Sequence, residues 1–107
     1  MILISKHIVP KGFIGITLFP FIFLKNSRFK EHKVLINHEK IHLKQQLELL
    51  VFFFYVFYIL EWFIKLLKYK SSYIAYKNIS FEREAYEHEK NLNYIKNRTF
   101  WAFLNYL

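Results

Sequence analysis

The sequence predicts a mainly helical α+β fold, in which a short N-terminal β-hairpin or edge strand packs on a helical core. Both prolines and both glycines lie within the first twenty positions, so the rest of the chain has no strong helix breaker. Apolar residues recur at helical spacing from about residue 31, whereas the opening residues form short apolar runs. At 107 residues the chain is predicted to be one domain, with a β segment at 1–25 and helices over 31–107.

The β segment is expected to contain two extended runs. Residues 2–9 are apolar and rich in β-branched side chains, and residues 10–12 form a predicted turn. The second run, residues 13–24, contains Pro20, which has no backbone N–H to donate to a neighbouring strand. This run is therefore predicted to be an edge strand or a strand broken at Pro20. Residues 26–27 predict a loop and a helix cap.

A long amphipathic helix is predicted to begin near residue 31. At 100° per residue relative to His38, its apolar face holds Val34, Leu35, Ile41, His42, Gln45, Leu49, Phe53, Val56, Leu60, Phe63 and Leu67. Its polar stripe holds Lys44, Glu48, Tyr55, Tyr58, Glu61 and Lys65. Continued to Lys68, the helix would be roughly 57 Å long, against a radius of gyration of about 13 Å for a domain of this size. We therefore predict a break near residues 49–54, or protrusion into a membrane or a partner.

The segment 49–68 has three candidate environments. Its apolar part, residues 49–60, is shorter than the ~20 residues that span a bilayer, and extending it meets Glu61 and Lys65. It could contact the core, a membrane surface or a second copy of the chain. The N-terminus shows neither the apolar region nor the cleavage site of a signal peptide, which favours a cytoplasmic or cytoplasmic-membrane-associated protein.

The C-terminal part is predicted to form two further helices after a loop at residues 71–72. Ser80 is a suitable N-cap, and negative charge at Glu82 and Glu84 suits the first turn of the helix that follows. This helix is expected to run to about Lys96, and a short helix over residues 100–107 to end the chain.

Charge and cysteine content restrict the partners. All eight acidic residues are glutamate, against sixteen lysines and arginines, which gives a net charge of +8 and favours anionic partners such as nucleic acid or an anionic membrane. No nucleic-acid recognition fold is visible, so nucleic acid is the less favoured of the two. Cysteine is absent, so a bound metal would need histidine and carboxylate ligands.

The stretch HEKIH, residues 38–42, has the spacing of a zinc site. His38 and His42 are four residues apart, so both imidazoles project from one helix face and can reach a single ion. Glu39 lies about 100° around the helix, which places it beside the ion as a base rather than as an equal ligand. Because this face is also the apolar face, the two histidines are expected to be buried and to need polar partners.

A third ligand is expected from the segment SFEREAYEHEK, residues 80–90. Glu82, Ala85 and Glu89 share one face of its predicted helix, and the small Ala85 allows close packing against another helix. Glu82 therefore suits an inward-pointing ligand. The other candidates in the segment are expected to point elsewhere, towards solvent: Glu84, Glu87 and His88.

HEKIH followed by Glu82-Arg83-Glu84-Ala85 resembles the HExxH and ExxA motifs of gluzincin metallopeptidases, and His38 to Gln45 resembles small bacterial proteins with an HExxHxxQ motif. The resemblance implies a minimal zincin-like domain that binds Zn²⁺ through His38, His42 and Glu82. It implies hydrolysis of a peptide or protein substrate by a zinc-activated water, with Glu39 as the catalytic base. The extended run at 13–24 would hold the substrate backbone.

The chain departs from the gluzincin pattern after ExxA. Tyr86 stands where the class often has an acidic residue that supports a ligand histidine, so Tyr86 and Gln45 are assigned as candidates to support the ligands or to stabilise an oxyanion. Two non-catalytic alternatives stay open: a membrane-associated helical protein and a basic nucleic-acid-binding protein. A di-iron bundle is disfavoured because it needs Glu-x-x-His on two helices, and Ala85 stands three residues before His88.

Overall fold

The computed structural model describes all 107 residues and confirms a mainly helical fold with a small sheet. The strands are β1 (Ile2–Ile4), β2 (Gly15–Leu18) and β3 (Phe21–Leu24). The helices are α1 (Lys33–Glu48), α2 (Phe52–Tyr69), α3 (Ser72–Lys77), α4 (Ser80–His88) and α5 (Tyr94–Asn97). Two 3₁₀ helices cover Ser27–Glu31 and Ala102–Tyr106. The radius of gyration is 13.5 Å, close to the value expected of a domain of this length.

The sheet has the strand order β1-β3-β2, with β1 parallel and β2 antiparallel to β3. The run at 13–24 is broken at Pro20, as one of the two alternatives predicted, and β2 lies at the edge of the sheet. The first strand ends at Ile4 rather than at Val9. Its partner strand β3 ends at Leu24, whose carbonyl accepts a hydrogen bond from Ser5 N–H. Beyond Ser5 the chain therefore has no strand to pair with.

The predicted helix break lies between α1 and α2. Leu50 and Val51 both have positive φ, 55° and 63°, and the two helix axes meet at 112°. A positive φ is costly for a β-branched residue such as Val51. It is accompanied by a 2.7 Å hydrogen bond from Val51 N–H to the Gln46 carbonyl. The bend folds α2 back beside the sheet and α4 instead of extending it away.

The bend reverses the predicted faces of α2. Phe53, Leu60, Phe63 and Leu67 were expected to face the core, and all are exposed. The polar stripe faces inward instead, and Tyr55 O–H donates to the Thr17 carbonyl at 3.0 Å. No single helix is both long and apolar enough to cross a bilayer, although α1 and α2 taken together as a bent pair meet the length and composition of a broken span.

The start of α4 is held from α2 rather than by its own cap. Ser80 is the first helical residue and not the N-cap, which is Ile79 with no side-chain bond. Glu61 accepts from Ser80 N–H at 3.2 Å and from Ser80 Oγ–H at 2.7 Å, so a carboxylate lies at the positive end of the helix dipole.

The end of α4 also differs from the prediction, because the helix stops at His88 rather than near Lys96. Asn37 on α1 donates from Nδ2 to the carbonyl oxygens of Glu89, at 2.7 Å, and Asn91, at 3.0 Å. These bonds satisfy carbonyl groups beyond the helix end and hold the following turn against α1.

The hydrophobic core lies where α2, α4 and the C-terminal turn meet. It contains Leu49, Phe54, Ile79, Phe81 and Phe103. The Phe81 ring is fully buried, 4.5 Å from the Phe54 ring and 4.8 Å from the Phe103 ring between centroids. Because Phe81 directly precedes Glu82, this packing fixes the position of the candidate metal ligand.

Candidate metal centre

Three predicted ligands converge between α1 and α4. His38 and His42 are each 5% exposed, and their Nε2 atoms are 3.2 Å apart. Oε1 of Glu82 lies 3.2 Å from Nε2 of His38 and 3.1 Å from Nε2 of His42. The three donor atoms therefore form a nearly equilateral triangle, with residues 40 positions apart in the chain brought into contact.

The size of this triangle matches a tetrahedral zinc site. With bonds of 2.0–2.1 Å, tetrahedral ligands lie roughly 3.3 Å from one another, close to the separations of 3.1–3.2 Å found here. Three protein ligands would leave one position of the tetrahedron free, which is the arrangement of catalytic rather than structural zinc sites.

Each ligand is oriented by a neighbour on its other side. Nδ1 of His38 lies 2.8 Å from Oε1 of Glu89, and Nδ1 of His42 lies 2.7 Å from Oε1 of Gln45. Both oxygens accept, so in the neutral imidazoles the proton would lie on Nδ1 and the Nε2 lone pairs would face the triangle. Tyr58 O–H donates to Oε2 of Glu82 at 2.7 Å, which leaves Oε1 free to bind.

This donor set attracts a cation. Two imidazole nitrogens and a carboxylate oxygen face one another within 3.2 Å in a buried space. Burial alone would lower the pKa of His42, but the carboxylates of Glu82 and Glu39 raise it to about 9. Burial would likewise raise the pKa of Glu82, but the two histidines hold it well below its usual range. A divalent cation would satisfy all three ligand atoms at once.

Glu39 lies beside the triangle without completing it. It is buried, and the Thr17 hydroxyl is 2.8 Å from its Oε1 atom. His38, Glu39 and His42 also offer donor atoms within 4.8 Å of one another, so Glu39 is a competing third ligand. We favour Glu82 because its oxygen is 3.1–3.2 Å from both imidazoles.

Gln45 joins the ligand helix to α4. Its side-chain amide donates to the Phe81 carbonyl at 3.0 Å and to Oε1 of Glu84 at 2.9 Å, while its oxygen accepts from His42. The prediction that Gln45 supports a ligand therefore fits this geometry. The prediction that Glu84 points to solvent is wrong, because Glu84 is fully buried.

The carboxylate of Glu84 is part of a buried ionic cluster that the sequence did not reveal. Arg98 bridges Glu84 and Glu48, donating to Glu48 from Nη1 at 2.7 Å and from Nη2 at 3.0 Å. Tyr94 O–H donates to Glu84 at 2.6 Å. Burial would raise the pKa of Glu84, but the Arg98 and Tyr94 hydrogen bonds lower it. This cluster fixes Glu84, and through Gln45 it fixes His42.

The carboxylate that hydrogen-bonds the His38 imidazole belongs to Glu89, whereas the sequence predicted a supporting side chain at Tyr86. The chain turns beyond His88, where Asn37 holds it, and this turn aims the Glu89 carboxylate at His38. The Tyr86 ring packs edge-on against the His38 ring at 4.5 Å, and its hydroxyl is 2.7 Å from the Tyr76 hydroxyl. The sequence placed Glu89 on the same predicted helix face as Glu82, and this spacing could have indicated that Glu89 lies near the site.

A cavity of about 860 Å³ opens beside the site and exposes His38 and Glu39 to it. Six of its 17 lining residues are aromatic: Phe13, Tyr58, Trp62, Tyr73, Tyr76 and Tyr86. A smaller cavity of about 210 Å³ contains His42 and Glu82 and shares Tyr58 and Tyr76 with the larger one. A molecule in the larger cavity could therefore reach the donor triangle.

Replacing Glu89 with glutamine is expected to lower zinc affinity about 10- to 100-fold, because His38 loses its charged hydrogen-bond acceptor. Competitive titration with a chromophoric chelator measures this change. Glu87→Gln removes an exposed carboxylate of the same segment and should leave affinity unchanged. Equal affinity in the two variants would show that Glu89 does not support the site.

Comparisons with protein-family models, with characterised proteins and with solved structures found no match to this chain.

Proposed function

We propose that this protein is a zinc-dependent peptide hydrolase of the gluzincin type. The observation that carries the proposal is the triangle of His38, His42 and Glu82 donor atoms, with Glu39 beside it and a cavity leading to it. The HExxH and ExxA resemblance of the sequence supports the same reading.

The residues around the site suit hydrolysis. Zinc bound there would act as a Lewis acid and lower the pKa of a water molecule towards neutrality. Glu39 is held by the Thr17 hydroxyl in a buried position. It would accept the proton of the attacking water and deliver it to the amine that leaves when the C–N bond breaks.

We assign oxyanion stabilisation to two tyrosines. The hydroxyls of Tyr76 and Tyr86 are bonded to each other, and both residues line the cavity that contains His38 and Glu39. One hydroxyl of the pair can donate to the carbonyl oxygen as negative charge develops. We therefore propose the oxyanion role, the second of the two predicted for Tyr86, for Tyr86 and Tyr76 together.

The edge strand β2 offers backbone groups to a substrate. Lys25 N–H donates a hydrogen bond to the Ile14 carbonyl. Because hydrogen-bonded pairs alternate along an antiparallel ladder, Ile16 and Leu18 are the β2 residues whose backbone groups bond to β3. The N–H and C=O of Gly15 therefore point away from β3, towards the open edge of the sheet. Gly15 also lines both cavities, so an extended peptide could pair with this edge beside Glu39.

Metal removal and restoration test the proposal. The purified chain would be incubated with a library of quenched fluorogenic peptides rich in aromatic and aliphatic residues, which the cavity walls favour. We expect cleavage in the zinc-loaded protein, loss after dialysis against a chelator, and recovery when zinc is restored. A zinc-loaded protein that cleaves no peptide, or cleavage that survives metal removal, would contradict it.

A further inference from the structure

Helix α2 turns its polar side chains inward and its apolar side chains outward, the opposite of a helix in a water-soluble domain. Its inward face carries Tyr55, Tyr58 and Glu61, which bond to Thr17, Glu82 and Ser80 respectively. Only Phe54 of its eighteen residues is fully buried. A soluble helix normally turns its apolar stripe to the core and its polar residues to water.

The outward face of α2 is a wide apolar stripe. Its exposed members are Phe52, Phe53, Phe57, Ile59, Leu60, Phe63, Ile64 and Leu67. At 100° per residue these side chains cover roughly 160° of the helix circumference, and no charged residue falls within that sector. We call this surface the α2 apolar face. Monomeric soluble proteins rarely expose a continuous apolar surface of this extent.

The charged residues that the whole molecule exposes are almost entirely cationic. Twelve of the sixteen lysines and arginines are exposed, but only Glu31 and Glu87 of the eight glutamates are. The other carboxylates are buried or partly buried, among them those of the metal site and of the Arg98 cluster. Lys68 and Lys70 lie exposed at the C-terminal end of the α2 apolar face. The charge that the surface presents is therefore more positive than the net value of +8 suggests.

We infer that α2 lies in the plane of an anionic lipid bilayer, with the α2 apolar face among the acyl chains and Lys68 and Lys70 at the headgroups. Apolar burial and attraction to anionic lipids act together in helices of this kind. A second copy of the chain would cover the apolar side chains but would bring two cationic surfaces together. Nucleic acid would match the charge but leave the apolar face in water. The inference is independent of the proposed peptidase activity.

Vesicle flotation of the full chain tests the inference. The vesicles are phosphatidylcholine alone and an equimolar mixture of phosphatidylcholine and phosphatidylglycerol. We expect the wild type to float with the mixed vesicles and to bind pure phosphatidylcholine roughly tenfold or more weakly. The double variant Leu60→Glu/Ile64→Glu places charge at two positions that are 52% and 62% exposed, and should lose binding to both. Leu92→Glu, at a position 51% exposed beyond α4, is the matched control and should bind as the wild type does.

A second variant tests the electrostatic part separately. Lys68→Gln/Lys70→Gln should weaken binding to the mixed vesicles roughly ten- to thirtyfold and leave binding to phosphatidylcholine unchanged. Thermal unfolding of each variant checks that it is folded. Three results would overturn the inference. The first is a wild type that floats with neither kind of vesicle, and the second is a Leu60/Ile64 variant that binds as strongly as the wild type. The third is a wild type that is dimeric in light scattering and does not bind vesicles, while the Leu60/Ile64 variant is monomeric.

Discussion

Replacing Glu39 with glutamine should reduce peptide hydrolysis about 10²- to 10⁴-fold, the usual contribution of a positioned general base. Glutamine keeps the size of the side chain and can still accept the hydrogen bond from Thr17, which is 2.8 Å in the native chain. It cannot accept a proton from water. Because Glu39 is not one of the three converging ligand residues, the variant should bind zinc as the wild type does.

Glu31→Gln is the matched control, because it removes an exposed carboxylate just before α1 without touching the site. Initial rates on a cleaved peptide and zinc per chain should be measured for all three proteins. The base assignment fails if Glu39→Gln retains hydrolysis. If the variant instead loses its zinc, Glu39 rather than Glu82 is the third ligand.

Replacing Arg98 with alanine should destabilise the fold by about 3–5 kcal/mol, the cost of leaving buried charge uncompensated. The Arg98 side chain is 3% exposed, and those of Glu84 and Glu48 are 0% and 7% exposed. Without the guanidinium, two carboxylates would be left close together in a buried space. A loss of this size is a large part of the stability of a small domain.

Urea unfolding followed by circular dichroism measures the change, and Arg28→Ala at an exposed position is the control. The pH dependence has a definite sign. The pKa of Glu84 is lowered in the folded chain. Its contribution to the free energy of unfolding is therefore complete above the pKa that Glu84 has in the unfolded chain, and is lost as pH falls through its pKa in the folded chain. An Arg98→Ala variant as stable as the control would refute the structural role of the cluster.

Local spacing was sufficient to predict that the two histidines lie together on a buried face. Four residues separate His38 from His42, and this places both on one face of α1 whatever the rest of the chain does. The apolar character of that face predicted burial, and Ala85 indicated the side of α4 that packs closely. Each of these inferences depends on periodicity within one helix.

What the sequence did not reveal depends on contacts between distant segments. Helix length predicted a break near residues 49–54, but no glycine or proline marks the bend at Leu50 and Val51, so its direction was not predictable. That direction turns Tyr58 inward and Leu60 outward. Arg98 lies fifty residues from Glu48, and only the tertiary fold brings them together. Charged residues of this kind are expected at the surface unless a partner is known.

Zinc content measured by mass spectrometry on the purified chain, beside His38→Ala and Glu82→Ala, tests the central claim most directly. The three donor atoms lie 3.1–3.2 Å apart, so we predict one zinc per wild-type chain and a loss of most of it in either variant. Wild-type protein with clearly less than one zinc per chain, or full occupancy in Glu82→Ala, would contradict the assignment of this site.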